Sequence, residues 1–130
     1  SFVVRINYVS PDILRMPPEL MEELAAKGLS QKEYTTLDPV LAESDVLYVT
    51  RVQKERFEDQ DQYEQVKGAY VITPDTLLAA KDQMIVMHPL PRVGEISLEV
   101  DADPRAAYFR QMEYGLYVRM ALLAMVLGKA

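Results

Sequence analysis

Val46-Leu47-Tyr48-Val49-Thr50 is almost continuously apolar, and it gives way at once to the charged stretch Arg51-Val52-Gln53-Lys54-Glu55-Arg56. A short apolar run of this kind reads as a strand, and its lack of polar alternation predicts a strand covered on both faces. Residues 84–87, Met-Ile-Val-Met, repeat the pattern and end at His88-Pro89. Residues 2–9, rich in β-branched side chains, and the short run 70–72 supply two more candidate strands.

Helices are expected between these runs. One spans 18–27, with Pro18 in its first turn and Gly28 as its stop. Thr73 offers an N-cap, Pro74 fits the first helical position, and Leu77 and Leu78 are expected to face the core of a short helix. The last helix is expected to open at Asp103, with Pro104 following the cap. Tyr108, Met112, Leu116, Met120, Leu123 and Leu127 then recur at helical spacing. Helices between buried strands imply parallel crossovers. The expected fold is therefore one α/β domain over residues 1–130, with a mainly parallel sheet flanked by helices and a long C-terminal helix. Residues 120–127, MALLAMVL, are apolar all round that helix. In a domain this small, a missing domain or a neighbouring subunit is expected to cover part of it.

The composition narrows the function classes. There are no cysteines among the 130 residues, hence no disulfides and no thiol chemistry, which permits a cytoplasmic setting. His88 is the single histidine, so zinc sites built on Cys and His are excluded within the chain; a carboxylate-rich magnesium or calcium site is not excluded, although no loop has EF-hand spacing. Net charge is −6 with no basic stripe, which argues against a nucleic-acid partner. No apolar run is long enough to suggest a membrane span. In an acidic protein, a site for an anionic substrate must be built locally from a few well-placed cations.

In parallel sheets, ligands bind beyond the C-terminal ends of strands, and that rule singles out two segments. In the first, Arg51 is the first cation beyond a strand, and its planar fork suits a carboxylate or a phosphate. Gln53 points the same way as Arg51 if the backbone is extended, and Glu55 is placed to orient one of the arginines, Arg51 or Arg56. A solvated loop with an ion pair explains the same residues. The second segment is His88-Pro89-Leu90-Pro91-Arg92. Its prolines remove two N–H donors and stiffen the chain, leaving the carbonyls of Pro89 and Leu90 available to an amine or amide ligand. Either X–Pro bond is a candidate for the cis form. A rigid strand exit with a structural histidine is the competing account. Residues 58–65, acidic and glutamine-rich with Tyr63, read as an exposed loop or short helix, or as a mobile flap beside the site.

DVLYVTRVQKERF at residues 45–57 and MHPLPRVGEI at 87–96 resemble signature segments of aspartate carbamoyltransferase catalytic chains. YVSPDILRMP at 8–17 and DPRAAYFRQMEYGLYVRMALLAMVLG at 103–128 are similar to two further segments of that family, in the family's order. The wording is closest in kind to the transcarbamoylase part of the multifunctional pyrimidine-synthesis proteins of fungi and animals. The resemblance implies a Rossmann-like aspartate-binding domain. It also implies transfer of the carbamoyl group of carbamoyl phosphate to the amine of L-aspartate, without a cofactor and in a homotrimer. It assigns an aspartate carboxylate to Arg51 with help from Gln53, a supporting role to Glu55, Arg56 and His88, and contact with the carbamoyl group to Pro89, Leu90 and Pro91. It turns residues 58–65 into a loop that closes on substrate.

The chain departs from the family by having no SxRT phosphate loop and no second histidine. Met112 and Tyr114 stand where many relatives have Ala and Asn. The expectation is an aspartate-binding half that lacks its carbamoyl-phosphate domain and does not turn over alone. A non-catalytic interaction module that keeps the fold, and a transcarbamoylase for another amino acid, are the alternatives. The HPLPR turn argues against the second, because ornithine-using relatives carry a cysteine there.

Overall fold

The structure is a computed structural model that describes residues 4–54, 57 and 59–129. It divides into two compact units, Ser1–Glu43 and Ser44–Ala130.

In the first unit, β1 (Arg5–Val9), α1 (Pro18–Ala26) and β2 (Ser30–Tyr34) form a strand–helix–strand unit, followed by the short α2 (Asp38–Leu41). The strands run parallel, with Arg5 opposite Ser30 and Val9 opposite Tyr34. Gly28 ends α1 as expected. At φ +79° it takes a left-handed turn that a side chain would resist, and its N–H donates to the Ala25 carbonyl at 2.9 Å while that of Leu29 reaches Leu24 at 3.1 Å. No local signal announces β2, because Ser-Gln-Lys-Glu-Tyr has no apolar run. Tertiary pairing forms it: Gln31 Nε2 donates to the Met21 carbonyl at 2.5 Å, and Glu33 accepts from the Met16 N–H at 3.1 Å.

The second unit holds β3 (Val46–Tyr48), α3 (Gln60–Val66), α4 (Pro74–Leu77), β4 (Ile85–Met87) and α5 (Tyr108–Val126). β3 and β4 are parallel, with Val46 opposite Ile85 and Tyr48 opposite Met87. The α/β class and the parallel pairing are therefore as expected, in two two-stranded sheets among the described residues. β4 is the inner strand. The Ile85 N–H and the Met87 carbonyl pair with the β3 side, at Asp45 (3.0 Å) and Val49 (2.9 Å). The Val86 N–H and carbonyl pair with Arg105 and Ala107 on the other side, both at 2.8 Å. Val86, Met84, Ile72, Leu77, Ile96, Val100 and Tyr108 fill the core.

Four expectations need correction. Residues 70–72 do not make a strand, since only Ile72 pairs, as a single parallel bridge to Ile96. β3 is not covered on both faces within the chain, because Val46 and Tyr48 are half exposed. Leu78 points outward, 82% exposed, because the four-residue α4 leaves only Leu77 on its inner side. Asp103 does not cap α5, which starts at Tyr108. Arg105 and Ala107 are held against Val86, so helix cannot begin before that bridge ends. The Asp103 carboxylate is used instead on the Arg105 N–H (2.9 Å) and guanidinium (2.7–2.9 Å).

α5 is the expected long helix, but only Tyr108 of its apolar positions is buried, while Met112, Leu116, Met120 and Leu123 are exposed. No helix among the described residues is long and apolar enough to cross a membrane.

The α4 start is a capping box. Thr73 Oγ1 accepts from the Thr76 N–H at 3.2 Å, and Thr76 Oγ1 accepts from the Thr73 N–H at 3.2 Å. Thr73→Ala should lower unfolding stability by about 1 kcal/mol and Thr73→Ser by no more than a few tenths. Urea denaturation at constant m-value measures both; equal losses would mean that the hydroxyl contributes nothing.

Candidate active site

The β3–β4 register sends two segments out of the same end of the sheet. Arg51 is three residues past Tyr48, and His88 directly follows Met87, its partner across the ladder. Arg51 is exposed and Gln53 half-buried. Glu55, Arg56 and Glu58 lie outside the described residues. Beyond them, residues 60–66 form α3 rather than an extended loop. Asp59 caps α3 by accepting the Asp61 N–H at 2.9 Å, and Val66 anchors its far end in the core. Tyr63 turns back toward the Arg51 segment. Its ring meets Phe57 edge-on at 5.7 Å between centroids and lies 5.9 Å from Lys54 Nζ.

The HPLPR segment forms a tight turn with Leu90 at φ +46° and a cis bond between Leu90 and Pro91. Pro89 and Pro91 are exposed and Leu90 half-buried. His88 lies beneath them, 1% exposed, with its N–H and both ring nitrogens occupied. Its backbone N–H donates to Gln111 Oε1 at 3.0 Å, its Nδ1 accepts the Leu90 N–H at 2.8 Å, and its Nε2 meets Glu95 Oε1 at 2.7 Å. Because Nδ1 accepts, Nε2 carries the ring proton and donates it in a hydrogen bond to Glu95 Oε1. The other Glu95 oxygen accepts the Val93 N–H at 2.9 Å. Burial pushes the Glu95 carboxyl upward, but the Val93 N–H, its own N–H and His88 outweigh this and hold it below the usual carboxylate range. His88 is thus a structural hydrogen-bonding residue of the turn.

Arg92, at the end of the turn, forks onto the carboxylate of Asp101, with 2.6 Å between Nη2 and Oδ2. Its Nη1 also donates to the Tyr108 hydroxyl at 3.2 Å, and that hydroxyl donates to Asp101. The turn is therefore clamped to the first residue of α5. Gln111, one turn further along, joins the two strand exits. Its Oε1 takes the His88 N–H, and its Nε2 reaches the Tyr48 hydroxyl at 3.4 Å. Sequence reasoning singled out neither Glu95 nor Gln111 nor Asp101. Their side-chain partners are 7 to 63 residues away, and nothing local announces the pairing. Among the described residues, no cluster of three or more His, Asp or Glu side chains is arranged to hold a metal ion.

Residues 1–126 match the aspartate/ornithine carbamoyltransferase Asp/Orn-binding domain. The chain belongs to that family. It is 63% identical over 128 residues to the multifunctional protein pyr1-3 of Dictyostelium discoideum, covering 98% of this chain and 6% of that protein. It is 52% identical to the aspartate carbamoyltransferase catalytic subunit of Thermoplasma volcanium, covering 98% of this chain and 41% of the subunit. Aspartate transcarbamoylase from Trypanosoma cruzi, solved with carbamoyl phosphate and aspartate, superposes with a TM-score of 0.83 at 47% identity, over 94% of this chain and 41% of that one. The catalytic subunit of M. Jannaschii aspartate transcarbamoylase gives 0.83 at 46% identity, over 95% and 40%. This carbamoyltransferase-family chain thus spans about two-fifths of its single-function relatives and a small part of the multifunctional one.

The Arg92–Asp101–Tyr108 clamp has a pH signature. Hydrogen bonds from Arg92, then from Tyr108, lower the Asp101 carboxyl to about 2. Burial, then Asp101, raises the Tyr108 phenol to about 12. A depressed carboxylate stabilises the fold fully above its unfolded value of about 4, and that contribution is lost as pH falls toward 2. Asp101→Asn should therefore be destabilised at pH 7, and its deficit against the parent should shrink steadily between about pH 4 and about pH 2. Denaturant midpoints across that range test this; a deficit independent of pH would rule out the ionised clamp.

Proposed function

We propose that this chain is the aspartate-binding half of an aspartate carbamoyltransferase acting in pyrimidine synthesis. The whole enzyme transfers the carbamoyl group of carbamoyl phosphate to L-aspartate. The amine nitrogen attacks the carbonyl carbon and a C–N bond forms through a tetrahedral intermediate. The bond from carbon to the phosphate oxygen then breaks, phosphate leaves with that electron pair, and the nitrogen sheds a proton. The products are N-carbamoyl-L-aspartate and phosphate. No bond order changes on the protein, so its contribution is positioning and the stabilisation of developing charge.

In this reading Arg51 takes a carboxylate of aspartate and Gln53 assists it. The Pro89 and Leu90 carbonyls accept from the carbamoyl NH2 group, with Pro91 in contact, and His88 supports the turn from below. Glu55 and Arg56 brace the Arg51 loop, and the segment that leads into α3 closes over bound substrate. The observation that carries the reading is the β3–β4 register, which brings the Arg51 segment and the HPLPR turn out of adjacent parallel strands. Aspartate rather than ornithine is favoured by the aspartate enzymes among the relatives, one of them solved with aspartate and carbamoyl phosphate bound.

The carbamoyl-phosphate domain lies outside this chain, in a homotrimeric whole enzyme of the cytoplasm, and the chain alone has no turnover. The exposed apolar face of α5 supports a covering partner of that kind. No nucleic acid, membrane or metal takes part.

Carbamoyl-aspartate formation should be absent from the chain alone and should appear when the carbamoyl-phosphate domain is supplied. Activity of the chain alone would overturn the half-site. In the whole enzyme, Arg51→Ala should cut kcat/KM for aspartate by about thirtyfold or more, since a lost charge-assisted partner costs roughly 2 kcal/mol or more. Unchanged aspartate kinetics would remove Arg51 from the site.

A further inference from the structure

Leu90 is a non-glycine residue at φ +46°, a conformation that L-residues adopt at a cost and that its surroundings must hold. Within the turn, the Leu90 N–H has one partner in view, Nδ1 of the buried His88, at 2.8 Å. That bond exists only if the imidazole carries its proton on Nε2. Glu95 Oε1 faces Nε2 at 2.7 Å and, as a carboxylate oxygen, selects the tautomer with the proton there. Glu95 is itself fixed from two directions. Its second oxygen takes the Val93 N–H at 2.9 Å, and its backbone carbonyl takes the Ile72 N–H at 2.9 Å, inside the bridge between Ile72 and Ile96. A chain of bonds therefore runs from the packed interior, through Glu95 and His88, to the backbone of Leu90. A mostly buried carboxylate and a buried imidazole are tolerated because all four of their polar atoms are engaged.

We propose that Glu95 is a positioning residue for the carbamoyltransferase reaction: it fixes the His88 tautomer whose Nδ1 holds the Leu90 N–H, and so sets the angle at which the turn offers its carbonyls to the carbamoyl group. The proposal rests on the reading of the HPLPR turn as the carbamoyl-contacting segment. Glu95 touches no substrate, and its effect passes through His88 and Leu90.

The first test needs no variant. His88 is the only histidine of the chain, so its two ring nitrogens are assigned in a 15N spectrum without ambiguity. The expected result is a protonated Nε2 and an unprotonated, accepting Nδ1; the opposite tautomer overturns the proposal. The second test compares Glu95→Met, of similar length but without an acceptor, with Glu95→Gln, whose amide oxygen still accepts from Nε2–H. Glu95→Met should lower the hydrogen-exchange protection of the Leu90 amide. In the whole enzyme it should raise KM for carbamoyl phosphate or lower kcat by roughly tenfold, with aspartate KM moving less. Glu95→Gln should recover most of both. Leu90 protection unchanged in Glu95→Met, or Glu95→Gln as impaired as Glu95→Met, overturns the positioning role. Loss of Leu90 protection with unchanged kinetics supports the bond relay and overturns the use of the turn in the site, which is a failure of the functional reading and not of the relay.

Discussion

β4 spends its backbone groups alternately to its two sides, and the second unit is arranged around that division. Ile85 and Met87 bond toward β3, while Val86, fully buried, bonds to Arg105 and Ala107. A slip of one residue would exchange the two sides and turn every side chain of the strand over. The register therefore fixes that His88 is the first residue free of the ladder, and that its ring enters the interior while Pro89 and Leu90 reach the surface. It also fixes where α5 can begin. Arg105 and Ala107 are held by their bonds to Val86, and Tyr108 starts the helix with its ring in the core and its hydroxyl on the clamp that holds Arg92.

From this follows how firmly the His88 exit is held: Glu95, Gln111, Asp101 and Tyr108 all contribute bonds to it or to Arg92. Beside the Arg51 exit, Tyr63 makes aromatic contacts with Phe57 and Lys54. A rigid turn suits the proposed chemistry, because a neutral carbamoyl group is recognised by carbonyls that must already be in place.

Much of this was legible in the sequence where one local signal decided the matter. Apolar runs without alternation gave β3 and β4, Gly28 gave the end of α1, and Thr73-Pro74 gave a capped helix start. Arg51 and the HPLPR turn were legible as strand exits, because the position of a strand's end is itself a local property. What was hidden depended on partners. β2 is a polar pentapeptide that becomes a strand only against β1. Asp103-Pro104 has the form of a helix start, and the competing bridge at Val86 overrides it. Glu95 sits in the quoted MHPLPRVGEI segment, yet nothing in that segment distinguishes a carboxylate turned inward to His88 from one in solvent. Gln111 falls inside a helical pattern whose obvious message is the apolar stripe beside it.

That stripe sets the last constraint. α5 has 19 residues and buries only its first side chain deeply, whereas an isolated helix of this length is marginal in water. Leu116, Met120, Leu123 and Leu127 are all more than half exposed, and covering what remains of each would be worth about 1–2 kcal/mol. The sum is comparable with the whole stability of a small domain. Such a helix is stable in proportion to what covers it, and the same helix carries Tyr108 and Gln111, which hold the turn and join the strand exits. Whatever packs on the apolar stripe therefore also steadies the candidate site through α5. On this argument the proposed dependence of turnover on a second domain has two physical components: the substrate-binding groups that domain brings, and the order it imposes on residues already present here.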